Sequence, residues 1–230
     1  MRATSELTSA PWRIAGPADT QAWLADLDLP WWIAGGWAID LFLGSATRPH
    51  KDLDVGIFRR DAPAVIALLR DWEIFEAKDG TLRRLREGES PSGDVNSLWC
   101  RQRHSTEWSL ELLLDDRTDE HWVFRRRPEI TRPVAEIFRR GVDGVSYLAP
   151  EIQLLYKAKA LRPQDQDDFE RVLPYLELET AKWRIHLLDR AHAESICGLT
   201  IGKSSRTRQS VVGRGTYGKF DARVTGDGAR

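Results

Sequence analysis

The stretch Trp31–Phe58, WWIAGGWAIDLFLGSATRPHKDLDVGIF, restricts this chain more than any other. An apolar run meets Gly35-Gly36, and a helical pattern follows to about Leu43, stopped by Gly44. A basic loop with Arg48, His50 and Lys51 then leads to Asp52-Leu53-Asp54, which opens a second apolar run. That order predicts strand, tight turn, helix, loop, strand. Within a strand over 52–58, carboxylates at i and i+2 point to one sheet face. Like charges held so close repel, which costs the fold stability and suits a bound cation. Glycines in the turn let backbone approach a phosphate, and the helix start offers free N–H groups and the positive dipole end. Each half has a plainer reading too. A Gly pair can be a turn alone, and Asp-x-Asp can be a solvated strand edge with Arg48 and Lys51 as ion partners.

The rest of the chain is read around that stretch. Residues 1–16 look like a loose leader without the apolar segment of a signal peptide. Pro17-Ala18-Asp19 starts a helix with Trp23, Leu24 and Leu27 on one face. Asp61-Ala62-Pro63 caps another to about Arg70. Strands are expected at Trp72–Ala77, Leu82–Arg86, Ser97–Gln102 and Trp108–Asp115, with weaker ones near Trp122–Arg125 and Val145–Leu148. After Pro150 the pattern turns helical, to about Leu161, then Pro163–Leu173, then Glu179 to about Glu194. Strands in the first two-thirds and helices in the last give an α/β (α+β) fold, a mixed domain over 17–149 and a helical part over 150–195.

Charge and cysteines narrow the class. The formal net charge of −1 argues against nucleic acid as a partner through bulk charge. Cys100 and Cys197 alone indicate neither a disulfide framework nor a zinc site. No apolar run reaches the ~20 residues of a membrane helix, so no membrane partner is expected and the reduced cytoplasm is the default location. Residues 196–230 hold seven of the 17 Gly, seven Lys/Arg and two Asp/Glu, with few large apolar residues; they read as a disordered basic tail.

The joint pattern, Gly-Gly between strand and helix and then Asp-x-Asp, resembles the nucleotidyltransferase superfamily that includes DNA polymerase beta. IAGGWAIDLFLGSATRPHKDLDV is similar to the segment found in its aminoglycoside 2''-adenylyltransferase and lincosamide nucleotidyltransferase branch. Fifteen residues separate Gly36 from Asp52, a longer gap than is usual in the superfamily but one that this branch shares. The likeness is dense over 31–58, weaker to about 190, and does not cover the tail. It implies a mixed sheet flanked by helices and a Mg²⁺-dependent transfer of AMP, or another nucleoside monophosphate, from ATP or another nucleoside triphosphate to a hydroxyl of a small-molecule acceptor. It also implies two Mg²⁺ ions and a third carboxylate on a neighbouring strand that serves as general base.

Two residues compete for that third place. Period-2 alternation in Trp108–Asp115 puts Ser109, Glu111, Leu113 and Asp115 on one face. Glu111 stands mid-strand among apolar neighbours, where an unpaired carboxylate is costly; Asp115 stands at the strand end, where a turn-forming Asp is ordinary. Glu111 is preferred, though it carries one methylene more than the Asp usual in the family. Asp52, Asp54 and Glu111 are thus the expected catalytic and metal-holding set. Gly35, Gly36, Arg48 and Lys51 are expected at the nucleotide, Arg48 because a guanidinium holds two phosphate oxygens at once; Asp40 could orient it by an ion pair. The resemblance adds a lysine from the helix after Pro150. Periodicity does not choose between Lys157 and Lys159, and Lys157 is taken. The run Arg162–Asp168 reads as a helix start with local ion pairs. Two other classes stay open: a catalytically weak nucleotide- or partner-binding domain of the same fold, antitoxin-like, and a metal-dependent hydrolase using His50 with Asp52 and Asp54.

Overall fold

The computed structural model describes residues 7–159 and 162–176. The helix expected near 179–194 and the tail over 196–230 lie outside them. Among the described residues, five α-helices and ten strands follow one another as α1 Pro17–Trp23, β1 Trp31–Ile33, α2 Gly35–Leu43, β2 Asp54–Phe58, α3 Ala62–Leu68, β3 Trp72–Lys78, β4 Thr81–Arg84 and β5 Ser97–Gln102, and then as β6 Leu110–Arg117, β7 His121–Val123, β8 Thr131–Pro133, β9 Phe138–Arg140, β10 Ser146–Leu148, α4 Pro150–Lys157 and α5 Pro163–Val172. Among the described residues no helix is long and apolar enough to cross a membrane.

All ten strands join one mixed sheet in the order β4-β3-β5-β6-β2-β1-β10-β9, with β7 on the end of β6 and β8 on β7. The centre explains the apolar runs. β2 lies between β1, antiparallel, and β6, parallel, and Val55, Ile57 and Phe58 are fully buried. A strand covered on both faces reads as a continuous apolar run. The tryptophans carry much of the core: Trp32, Trp108 and Trp122 are fully buried, and Trp32 meets Phe58 edge-on at 4.9 Å.

Two boundaries differ from the sequence reading in ways that matter. β2 begins at Asp54, and Lys51 and Asp52 form an exposed bend before it. The alternation argument that put Asp52 and Asp54 on one strand face therefore does not apply to Asp52, because nothing apolar N-terminal to Leu53 draws the chain into the sheet. β6 starts at Leu110 and runs to Arg117; Trp108 instead bridges to Trp12 in parallel fashion, which lays the segment near residue 12 beside the sheet.

The C-terminal helices are fastened from two sides. Ile39 of α2, Leu154 of α4 and Val172 of α5 form a small buried cluster. Each such side chain contributes about 1.5–3 kcal/mol when buried. On the other side Glu151 of α4, 1% exposed, accepts hydrogen bonds from Arg132 of β8 at 2.6 Å and Arg139 of β9 at 3.3 Å. An uncompensated carboxylate there would be strongly unfavourable, so these arginines fix how α4 lies over the sheet.

Candidate active site

The parallel register of β2 and β6 sets Asp54 opposite Glu111, with Val55 opposite Leu112 and Gly56 opposite Leu113. Residues opposed in register share a face, so two carboxylates separated by several strands in sequence become neighbours. Gly35 makes room for them. Its φ is +65°, and a Cβ there would lie 2.9 Å from Asp54 Cγ and nearer still to Oδ2. Only glycine meets both demands. Burial, Glu111 and Asp52 push the Asp54 carboxyl well above its ordinary range, against the pull of Lys157 and Arg162. Burial likewise raises Glu111, opposed by the Ser97 hydroxyl, which donates to its Oε1 at 2.6 Å, and assisted by Asp52. Asp52 stays exposed in the preceding bend. Among the described residues no group of three or more His, Cys, Asp or Glu side chains stands close enough to hold a metal ion as the chain is arranged.

The start of α2 is the second component. Its first turn leaves backbone N–H groups without helical partners, and that of Gly35 is taken by Gln153 Oε1 of α4 at 2.8 Å. The loop after α2 folds back over Gly36: a Cβ there would fall 2.5 Å from both Arg48 Nη2 and His50 Nδ1. Asp40 organises this loop. It accepts from the Thr47 N–H at 3.1 Å and hydroxyl at 2.6 Å and meets His50 Nε2 at 2.5 Å. Burial alone would raise the Asp40 carboxyl, but the His50 and Thr47 bonds outweigh it and hold it below its usual range. With Nε2–H donated to Asp40, His50 Nδ1 is left to accept from Arg48 Nη1 at 3.1 Å. The expected Asp40–Arg48 ion pair is therefore replaced by a relay through His50, since His50 reaches Asp40 first.

Arg48 pairs instead with Asp168 of α5, Nη2 to Oδ2 at 3.6 Å. Lys157 is nearly buried and lies 2.9 Å from both Asp165 Oδ1 and Asp168 Oδ2. The run Arg162–Asp168 thus does more than pair locally. Arg162 does bind Asp165 at 2.8 Å, but two buried aspartates also tie α5 to α4 and to the loop over Gly36. Arg48 and Lys157 come together through Asp168, whereas Lys51 is exposed in the bend.

A cavity of about 100 Å³ runs from Gly35 and Asp54 to Asp115, between the sheet and α4, with Arg125, Arg126, Gln153 and Tyr156 in its lining. Asp115 is opposite Phe58, four residues beyond Glu111, and accepts from the Tyr156 hydroxyl at 2.5 Å. Burial pushes Asp115 up to about 6, with Tyr156 and Arg125 opposing. Gln153, Tyr156, Arg125, Arg126 and Ser97 were not foreseen. A glutamine three residues before a tyrosine on an otherwise apolar helix face was the available signal for the first two; the run Arg125-Arg126-Arg127 was the signal for the arginines.

Comparison with known proteins gives the family and the fold. The family model described as aminoglycoside-2''-adenylyltransferase matches residues 19–169. Curated 2''-aminoglycoside nucleotidyltransferases from Escherichia coli and Klebsiella pneumoniae are each 47% identical over 45 residues, 18% of this chain and 25% of theirs. The chain thus spans a quarter of the length of the curated relatives it matches. The solution structure of the antibiotic-resistance factor ANT(2'')-Ia superposes with a TM-score of 0.50 at 19% identity, covering 76% of this chain and 90% of that one, a likeness of fold.

Proposed function

The chain belongs to the aminoglycoside-2''-adenylyltransferase family, and on that premise we propose that it transfers AMP from ATP to a hydroxyl of a small antibiotic acceptor of the aminoglycoside class, releasing pyrophosphate. The observation that carries this reading is the in-register pair Asp54–Glu111 set against Gly35 at the start of α2. Acidic oxygen donors beside a helix N-terminus are what transfer of a phosphoryl-centred group requires.

In the reaction the acceptor oxygen forms a bond to the α-phosphorus as the bond from that phosphorus to the pyrophosphate oxygen breaks. The hydroxyl proton passes to Glu111. Ser97 donates to Oε1 of that carboxylate, and the Trp99 side chain also hydrogen-bonds to it, which together hold its orientation. Arg48 and Lys157, both held by Asp168, face the charge that grows on the departing pyrophosphate. Gln153 fixes the Gly35 amide and so the direction of the α2 first turn.

The donor set suits a hard divalent cation. It offers only carboxylate oxygens, crowded by burial and mutual repulsion, with the Asp54 carboxylate seated in the room that the missing Cβ of Gly35 leaves. Asp52, Asp54 and Glu111 would hold Mg²⁺, two ions in this reading, and the ions when bound offset phosphate charge in the transition state.

Incubation with labelled ATP, Mg²⁺ and a panel of hydroxylated acceptors tests the proposal; the expected result is label on an acceptor with pyrophosphate released in equal amount. Asp54→Asn is expected to lower turnover by roughly a hundredfold or more, the scale of one lost transition-state contact, and Glu111→Gln to cost more than Asp115→Asn. Undiminished turnover in Asp54→Asn would refute the assignment.

A further inference from the structure

The cavity beside Asp54 holds a surplus of hydrogen-bond donors that the transfer reaction as described does not use. Arg125 and Arg126 are half-buried, and both guanidinium groups lie over the Tyr156 ring, 5.1 and 5.5 Å from its centroid. Arg126 also donates to the Tyr156 carbonyl at 2.8 Å. Neither arginine has a carboxylate at ion-pair distance among the described residues. Two carboxylates line the same cavity, Asp54 and Asp115; Asp115 already receives the Tyr156 hydroxyl, and the charge of Arg125 acts on it from beyond ion-pair distance.

A third donor is stranded there. The indole N–H of Trp32 is buried and has no acceptor. That edge of the ring lies over Gly56, where a Cβ would approach Trp32 Cδ1 to 2.8 Å and Nε1 more closely still. Trp32 and Gly56 line the same cavity as the two arginines. Two adjacent guanidinium groups in a poorly hydrated space repel each other, and burial with that repulsion loosens the proton on Arg126. A buried donor without a partner adds its own desolvation cost. One ligand chemistry relieves all three: an oxyanion, which a guanidinium fork holds by paired charge-assisted hydrogen bonds.

We propose that Arg125, Arg126 and Trp32 form an oxyanion-binding site next to the transfer centre, taking a phosphate or a carboxylate of a substrate. The cavity volume of about 100 Å³ admits one such group and not a whole ligand. It follows that ammonium groups of an acceptor bind outside this cavity, since the arginines repel them. The site is inferred from donors and space alone, so it stands or falls apart from the transfer reading.

Two sources supply this chemistry, a nucleotide phosphate and an acidic acceptor, and calorimetric titration in buffer free of divalent ions separates them. The probes are ATP, inorganic pyrophosphate and galacturonate, a carboxylated sugar without phosphate. Arg125→Gln is the main variant, because among the described residues Arg125 makes no side-chain hydrogen bond or ion pair; Arg125→Lys keeps the charge and removes the fork. Arg125→Gln is expected to weaken binding about tenfold or more, the scale of one charge-assisted bond, with Arg125→Lys between it and wild type. Loss for ATP and pyrophosphate assigns the site to the nucleotide, and loss for galacturonate assigns it to an acidic acceptor. Arg48→Gln, which removes the contacts of Arg48 with His50 and with Asp168 of α5, should add its own loss for ATP and pyrophosphate in the double variant. If the wild type binds none of the probes, or Arg125→Gln binds all three as tightly as wild type at an unchanged melting temperature, the site does not exist.

Discussion

Replacing Gly35 by Ala asks whether the helix start and the carboxylate pair are mechanically one device. Two costs are built into the position. At φ +65° a residue with a Cβ loses about 1–2 kcal/mol. The new Cβ would also press on Asp54, 2.9 Å from Cγ and closer to Oδ2, and relief requires the carboxylate to swing off its rotamer, at a further 1–2 kcal/mol or so. The sum, about 2–4 kcal/mol, corresponds to a fall in melting temperature of roughly 5–15 °C for a chain of this size. Turnover should drop with it, since the displaced carboxylate is the one assigned to the reaction. A double-mutant cycle separates the terms. In an Asp54→Ala background Oδ2 and Cγ are gone, and only the backbone cost and a tight contact with the residual Cβ at 3.2 Å persist, so Gly35→Ala should cost about 1–2 kcal/mol less there. Urea unfolding of the four proteins measures that coupling. Equal costs in both backgrounds, within about 0.5 kcal/mol, would refute the reasoning.

Two further outcomes follow from the helical part. Gln153→Leu leaves the buried Gly35 N–H without its acceptor, at a cost of about 1–3 kcal/mol, and should lower the melting temperature by several degrees while raising KM for the nucleotide; a melt indistinguishable from wild type would mean that this amide finds another partner. Asp165 is held down to about 2, its burial outweighed by the hydrogen bonds from Arg162 and Lys157. Its folded form therefore binds a proton less readily than the unfolded chain, near the ordinary 3.9. The stability it contributes is complete above about pH 4 and disappears as pH falls toward 2. Acid unfolding of wild type and Asp165→Asn should converge across that window, and a gap of constant size would contradict the assignment.

Much of the centre of the fold was legible because its signals are local. Gly35-Gly36 and Gly44 bracket α2 within a few residues, and the apolar run after Leu53 marks a strand buried on both faces. Alternation put Glu111 and Asp115 on one face, but the partner of Glu111 depends on register with a strand far away in the chain, which no periodicity reports. Asp52 was assigned to β2 from its spacing to Asp54, whereas the exposed Lys51 leaves the sheet no apolar side chain with which to extend to Asp52. Asp165 and Asp168 looked like helix-start acids because Arg162 is nearby; that they also hold Lys157 and Arg48 depends on how α4 crosses α5. Gln153 is a related case. Its acceptor role exists only once α4 lies against the beginning of α2, a contact between distant parts of the chain.

The parallel pairing of β2 with β6 also bears on how the protein matures. Hairpin-like neighbours such as β3 and β4 can close early, since few residues separate them, while β2 must wait for β6 to arrive across three intervening strands. Non-local parallel contacts form slowly, and a slip of one residue would turn Glu111 to the opposite face from Asp54. During refolding, recovery of turnover should therefore trail the appearance of β-structure, which makes activity a clock for a late and error-sensitive alignment of the sheet.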